Sequence, residues 1–178
     1  LASTQQRDYE LRGYVDATRT DQLPYRIPRL GVNAELTQYS AEELENQLAL
    51  MRDAGFHWVR QAFPWNEIER EQGAFDWTPY DDLVDAVSAH NLQLIAVLVN
   101  SPAWARDPSL PEHAPPDHPE DYAAFVAAFA DRYGPKIDYY QIWDEPNIAL
   151  GWGGLEPNPV DYTVLLQSAY EAINSNDP

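Results

Sequence analysis

The sequence predicts an α/β fold of about four parallel βα units, and three observations carry that reading. From Leu30 onward short apolar runs alternate with amphipathic segments, the pattern of strands that are each followed by a covering helix. One run, Leu92 to Val99, is almost unbroken aliphatic, as a strand covered on both faces must be. The 178 residues are 44% hydrophobic and 12% aromatic, enough apolar material for one core of domain size.

The first unit pairs a strand over Leu30 to Ala34 with a helix opening at Ser40, where Ser40 and Glu43 have capping-box spacing and Leu44, Leu48 and Met51 share a face. Gly55 stops that helix. The second strand is His57 to Ala62, followed by a long loop through Phe63-Pro64-Trp65-Asn66-Glu67 and a helix entered near Pro79, with Leu83, Ala86 and Val87 inward. Leu92 to Val99 is the third strand, and Asn100, Pro102 and Trp104 follow it. A Pro-rich excursion from Asp107 to Pro119 leads into a helix over Glu120 to Arg132, with Phe125, Val126 and Phe129 on one stripe and Gly134-Pro135 at its end. The fourth strand is Ile137 to Trp143, and a loop with Gly151, Gly153 and Gly154 reaches a last helix at Pro159. Residues 1–29 do not fit the rhythm; Pro24 and Pro28 mark them as an arm or linker, with a short strand around Leu11 to Val15. Residues 30–178 form the βα portion.

Charge and composition exclude partners. Against 29 acidic residues stand 11 Lys and Arg, a formal charge of -18, which repels the phosphate backbone that a nucleic-acid binder must neutralise. No stretch approaches the roughly 20 apolar residues of a membrane-spanning helix. There is no Cys, hence no thiolate metal site, and His57, His90, His113 and His118 do not cluster as ligands do. No metal and no cofactor are expected, and His113 and His118 read as surface residues of the Pro-rich loop.

In parallel α/β folds active groups gather at the carboxyl ends of strands, where rigid strands hold them and loops vary. The candidates there are Asn33 and Glu35, Arg60 and Trp65, Asn100 and Trp104, then Asp144, Glu145 and Asn147. Trp143-Asp144-Glu145-Pro146-Asn147 is the strongest: two adjacent carboxylates at the end of an apolar strand, where desolvation and like charge raise a carboxyl pKa toward that of a general acid. Trp65, Trp104, Trp143 and Trp152 all follow strands, and aromatic faces stack on the apolar faces of sugar rings; an aromatic-lined carbohydrate cleft is expected. Trp58 and Trp77 are assigned to packing. Arg60 either orients a catalytic carboxylate with its planar fork or pairs structurally with an acid such as Glu35.

Several stretches carry a family resemblance: Gly31-Val32-Asn33, Ala54 to Arg60, Trp65-Asn66-Glu67-Ile68-Glu69 with Gly73 and Phe75-Asp76-Trp77, Ser101-Pro102-Ala103-Trp104, and Ile142 to Asn147. Over about residues 30 to 175 the sequence resembles the retaining (β/α)8-barrel glycoside hydrolases, the superfamily of cellulases, β-mannanases and β-xylosidases. The resemblance implies the amino-terminal half of a TIM barrel, an oligo- or polysaccharide substrate and an extracellular or cell-surface location. It makes Glu145 the acid/base, and it makes Asn33, Glu35, Arg60, Trp65, Asn100, Trp104, Asp144, Asn147 and Trp152 substrate-binding candidates. Asp144 departs from the pattern, which has an Asn that donates to the sugar 2-hydroxyl. The nucleophile implied by the family follows a seventh strand, so the chain is expected to be incomplete and inactive alone, and to self-associate or pair with the missing half-barrel. A non-catalytic carbohydrate-binding barrel is the alternative, and a structural or interaction domain on the same scaffold a third reading.

Overall fold

The computed structural model describes residues 30–176. Four parallel strands, β1 (Leu30–Asn33), β2 (Phe56–Pro64), β3 (Gln93–Val99) and β4 (Tyr139–Ile142), form one sheet in the order β1-β2-β3-β4. Helices α1 (Ala41–Asp53), α3 (Thr78–Ala89), α4 (Pro119–Tyr133) and α5 (Pro159–Asn176) follow the strands in turn, and a single turn, α2 (Trp65–Ile68), interrupts the loop after β2. These are the βα units of a TIM barrel. The arm before Leu30, with its strand around Leu11 to Val15, lies outside the described residues.

The helices start and stop where local chemistry requires. Ser40 caps α1 with the reciprocal Ser40–Glu43 capping box, which satisfies two backbone donors that the first turn leaves over. Glu43, hydrogen-bonded by the Ser40 backbone and hydroxyl, has its carboxyl below the ordinary carboxylate range. Gly55 follows α1 at φ 85°, a left-handed conformation open to glycine at little cost. Pro119 opens α4, where its missing N–H breaks no helical bond. At the other end of α4, Gly134 stays right-handed, and the Tyr133 carbonyl accepts instead from Lys136 and Ile137 N–H.

Strand alternation separates two faces. In β2, Val59, Gln61 and Phe63 are buried, and Trp58, Arg60, Ala62 and Pro64 on the other face are only partly so. The helix-side core is strongly aromatic. Phe63 lies edge-on to Phe129 at 4.9 Å, Trp65 stacks on Phe125 at 5.6 Å, and Trp77 stacks on Phe75 at 5.2 Å and stands edge-on to Tyr133 at 5.6 Å. Each such pair contributes roughly 0.5–1.5 kcal/mol beyond area burial. On the opposite face Trp58 packs edge-on to Tyr139 at 4.6 Å.

β4 is shorter than the apolar run Ile137 to Trp143 predicts. Ile137 is buried below the strand, with its N–H given to Tyr133. At the upper end Trp143 still donates its N–H to Leu98 of β3, but its φ of 66° turns the chain out of the sheet. No helix among the described residues is long and apolar enough to cross a membrane.

Candidate active site

Three non-glycine residues with left-handed backbone stand at the carboxyl ends of neighbouring strands: Asn100 (φ 68°) after β3, and Trp143 (φ 66°) and Glu145 (φ 48°) after β4. Such conformations cost on the order of 1–3 kcal/mol each and persist only where surroundings enforce them. Here the surroundings are visible. The Trp143 indole is buried, edge-on to Tyr122 and Trp152 at 5.8 and 5.9 Å, and donates to the Gly151 carbonyl at 2.9 Å. The Tyr162 hydroxyl donates to the Ile142 carbonyl, and Ile148 N–H donates to the carbonyl of Glu145. Gly151 passes so close that a Cβ there would lie 2.3 Å from the Glu145 carbonyl oxygen.

The adjacent carboxylates are treated differently. Asp144 Oδ1 accepts from Arg60 Nη2 at 2.6 Å and from Gln141 Nε2 at 3.1 Å, and Gln141 Oε1 accepts from Arg60 Nε at 2.9 Å. Arg60 therefore pairs with Asp144, not with Glu35. Glu35 instead accepts from Thr37 Oγ1 at 2.5 Å and from Gln61 Nε2 at 3.1 Å. Glu145 is exposed, so the described residues do not supply the desolvation expected of its strand-end position. Asn147 is exposed two residues further on. Asn33 stands in register with Arg60, and the two share a shallow hollow of about 210 Å³ with Gly31, Trp58 and Ile95.

The tryptophans require a correction. Trp65 is 0% exposed, held between Trp104, Tyr122 and Phe125, and Trp152 is 2% exposed, edge-on to Trp143 and Tyr162. With Trp143 they form a packed floor behind the strand ends, not a sugar-stacking wall, because α4 and α5 cover their faces. Trp104 alone of the four is partly open, and its Nε1 donates to the Glu69 carbonyl at 3.0 Å. The buried Glu69 carboxylate in turn accepts from Trp65 Nε1 and Gly73 N–H, and so holds the long loop after β2 in shape.

Two residues join the site that the sequence reading left out. Gln141 bridges Arg60 and Asp144; the available signal was a polar residue one position from the end of β4. His113, read as a surface residue, lies with its ring Nδ1 2.7 Å from Asn100 Oδ1. Its neighbour Ala114 is buried against Gly153, where a Cβ would meet the Ala114 Cα at 2.5 Å. The loops after β3 and β4 are thus packed together as one wall. Among the described residues no three His, Asp or Glu side chains gather as a metal site.

Comparison with known proteins bears on the family and the fold. A β-galactosidase of the haloarchaeon Halorubrum lacusprofundi is 35% identical over 92 residues, 49% of this chain and 13% of that protein. A family 39 glycoside hydrolase from Bacteroides cellulosilyticus WH2 superposes with a TM-score of 0.68 at 21% identity, over 83% of this chain and 29% of that one. The exo-β-1,4-mannosidase Op5Man5 from Opitutaceae bacterium strain TAV5 also gives 0.68, at 19% identity, over 85% of this chain and 30% of that one. The chain therefore spans about an eighth of its curated relative and under a third of these solved structures, whose likeness bears on the fold. The β-galactosidase model of glycoside hydrolase family 42 matches residues 35–134, more than half of the chain, and the protein belongs to that family.

Proposed function

We propose that the complete gene product hydrolyses β-glycosidic bonds with retention, and that Glu145 is its acid/base. In the first step the Glu145 carboxylic acid protonates the glycosidic oxygen as the bond to the anomeric carbon breaks and a second carboxylate attacks that carbon; in the second, Glu145 takes a proton from water as the water oxygen bonds to the anomeric carbon and the ester to the second carboxylate breaks, freeing it. That second carboxylate, about 5–5.5 Å away in retaining enzymes, is assigned to sequence outside the described residues. The observation that supports the reading best is the strained backbone of Glu145, which projects an exposed carboxyl from a strand end whose neighbour Asp144 is fixed by Arg60 and Gln141. Arg60, Gln141, Asn33 and Asn147 bind or orient the sugar. Action on oligo- or polysaccharide outside the cell follows from the same reading.

The test is hydrolysis of aryl β-galactosides, β-glucosides and β-mannosides by the complete gene product beside Glu145→Gln. The variant should lose roughly 10²–10⁴ in kcat, the worth of one positioned acid/base. Asp144 in place of an amide also keeps open a carbohydrate-binding barrel without turnover. Calorimetric binding of oligosaccharide by a wild type that cleaves none of them would establish that reading instead.

A further inference from the structure

Resting on the reading of Glu145 as acid/base, we infer that His113 is a positioning residue, which holds the Asn100 carboxamide so that its amide nitrogen donates to a hydroxyl of the bound sugar. His113 Nδ1 lies 2.7 Å from Asn100 Oδ1. A carboxamide oxygen only accepts, so Nδ1 carries the proton, and the bond fixes which end of the amide is left over. That end is a donor. Asn100 is only 8% exposed, and its Nδ2 has no acceptor among the described residues. A buried amide nitrogen without a partner carries a cost that a ligand hydroxyl recovers.

The strand ladder sets this donor beside the acid. Leu98 of β3 pairs with Ile142 of β4, and the Leu98 carbonyl also accepts the Trp143 N–H. Asn100 and Asp144 therefore stand two residues beyond the same rung, and Glu145 comes next. Asn100 holds a left-handed backbone there, at φ 68°, which Asn adopts more readily than most residues. The His113 ring is not needed to keep its loop in place. Glu112 Oε2 accepts from Asn66 Nδ2 at 3.0 Å, and the Glu112 carbonyl accepts from Ser101 N–H at 2.8 Å. On the other side Ala114 is buried against Gly153. With both neighbours anchored independently, the bond from His113 acts on the amide and not on the path of the loop.

The experiment uses the complete gene product and whichever of the 4-nitrophenyl β-galactoside, β-glucoside and β-mannoside it cleaves fastest, with the 2-, 3-, 4- and 6-deoxy forms of that sugar. Each variant is read as the ratio of kcat/KM for the parent sugar to that for each deoxy sugar, so that a general effect on Glu145 cancels. Asn100→Gly, which suits a left-handed backbone, should shrink one of the four ratios by roughly two- to tenfold, the worth of one neutral hydrogen bond. His113→Leu should shrink the same ratio at unchanged melting temperature. His113→Asn, whose amide keeps a donor near the place of Nδ1, should restore most of it. Ratios that Asn100→Gly does not move overturn the inference and leave the hydrolase reading standing. A ratio untouched by His113→Leu, or shrunk equally by His113→Leu and His113→Asn, also overturns it. So does a His113→Leu chain that melts well below wild type or fails to fold, because the ring would then hold the loop. No turnover of any parent glycoside by folded wild type overturns both readings.

Discussion

Glu145 is held at its unusual φ by packing from below, and Gly151 is the closest part of that support. A methyl at Gly151 would stand 2.3 Å from the Glu145 carbonyl oxygen and 2.9 Å from that of Asp144, both rigid backbone atoms, so the strand-end segment must move. Gly151→Ala is expected to cost roughly 1–3 kcal/mol of stability and, by displacing the proposed acid Glu145 on the order of 1 Å, about 10²-fold in kcat. Thermal melts and steady-state kinetics on the complete gene product check the two effects separately; unchanged kcat would show that the loop does not position Glu145. At this scale the strand-end position of Asp144 and Glu145 was legible in the sequence, because an apolar run marks the strand they follow, whereas the exposure of Glu145 was not. The tryptophans were not. An indole after a strand looks the same whether it faces a cleft or a helix, and only the positions of α4 and α5 decide that Trp65 and Trp152 are buried. His113 was missed for the converse reason, since its bond to Asn100 spans a loop whose path no local pattern specifies.

Between elements, α3 and α4 are clamped by a bidentate ion pair. Arg132 Nε and Nη2 donate to the two oxygens of Asp81 at 2.8 and 2.6 Å, and Tyr133 Oη donates to Oδ1 at 2.9 Å. The hydrogen bond from Arg132 is the main cause that lowers the Asp81 carboxyl below its ordinary value, against a smaller opposing effect of burial and with added help from Tyr133. A carboxyl with a depressed folded-state pKa stabilises the fold above its unfolded value near 4 and loses that contribution as pH falls through the folded value. Asp81→Asn should therefore lower stability by at most about 1 kcal/mol at pH 7, since both side chains are roughly 40% exposed and solvent screens them. The difference from wild type should vanish as the pH falls well below 4. Denaturant melts at pH 7, 5 and 3 measure it, and a pH-independent gap would assign the loss to packing. Capping boxes, proline starts and helical stripes made the long elements readable because each signal is local. The end of β4 and the turn α2 depend on contacts with Leu98 and Phe125 from other units, and a single-sequence reading does not register such contacts.

As a molecule, residues 30–176 form a sheet covered on one face by helices. β1 and β4 each pair on one side only among the described residues. The uncovered face carries Trp58, Ile95 and Tyr139, with Leu30 at the margin; Tyr139 is 46% exposed and Leu30 42%. The βα rhythm was legible because strand and helix periods are read within a dozen residues. What lies along the free edges of β1 and β4 was not, since pairing between strands distant in sequence leaves no local pattern. Free edges beside an apolar face are a template for association, whereas a charge of -18 opposes it at low ionic strength. Residues 1–178 expressed alone are therefore expected to form dimers or larger species in a concentration-dependent way, more strongly at about 0.5 M salt than at low salt, because screening removes the repulsion and leaves the apolar face. Sedimentation velocity over a range of concentrations at the two ionic strengths measures this. A single monomeric species under every condition would mean that residues outside 30–176 cover the open face within one chain. Association that weakens with salt would mean that charged edges, not the Trp58–Tyr139 face, hold the copies together.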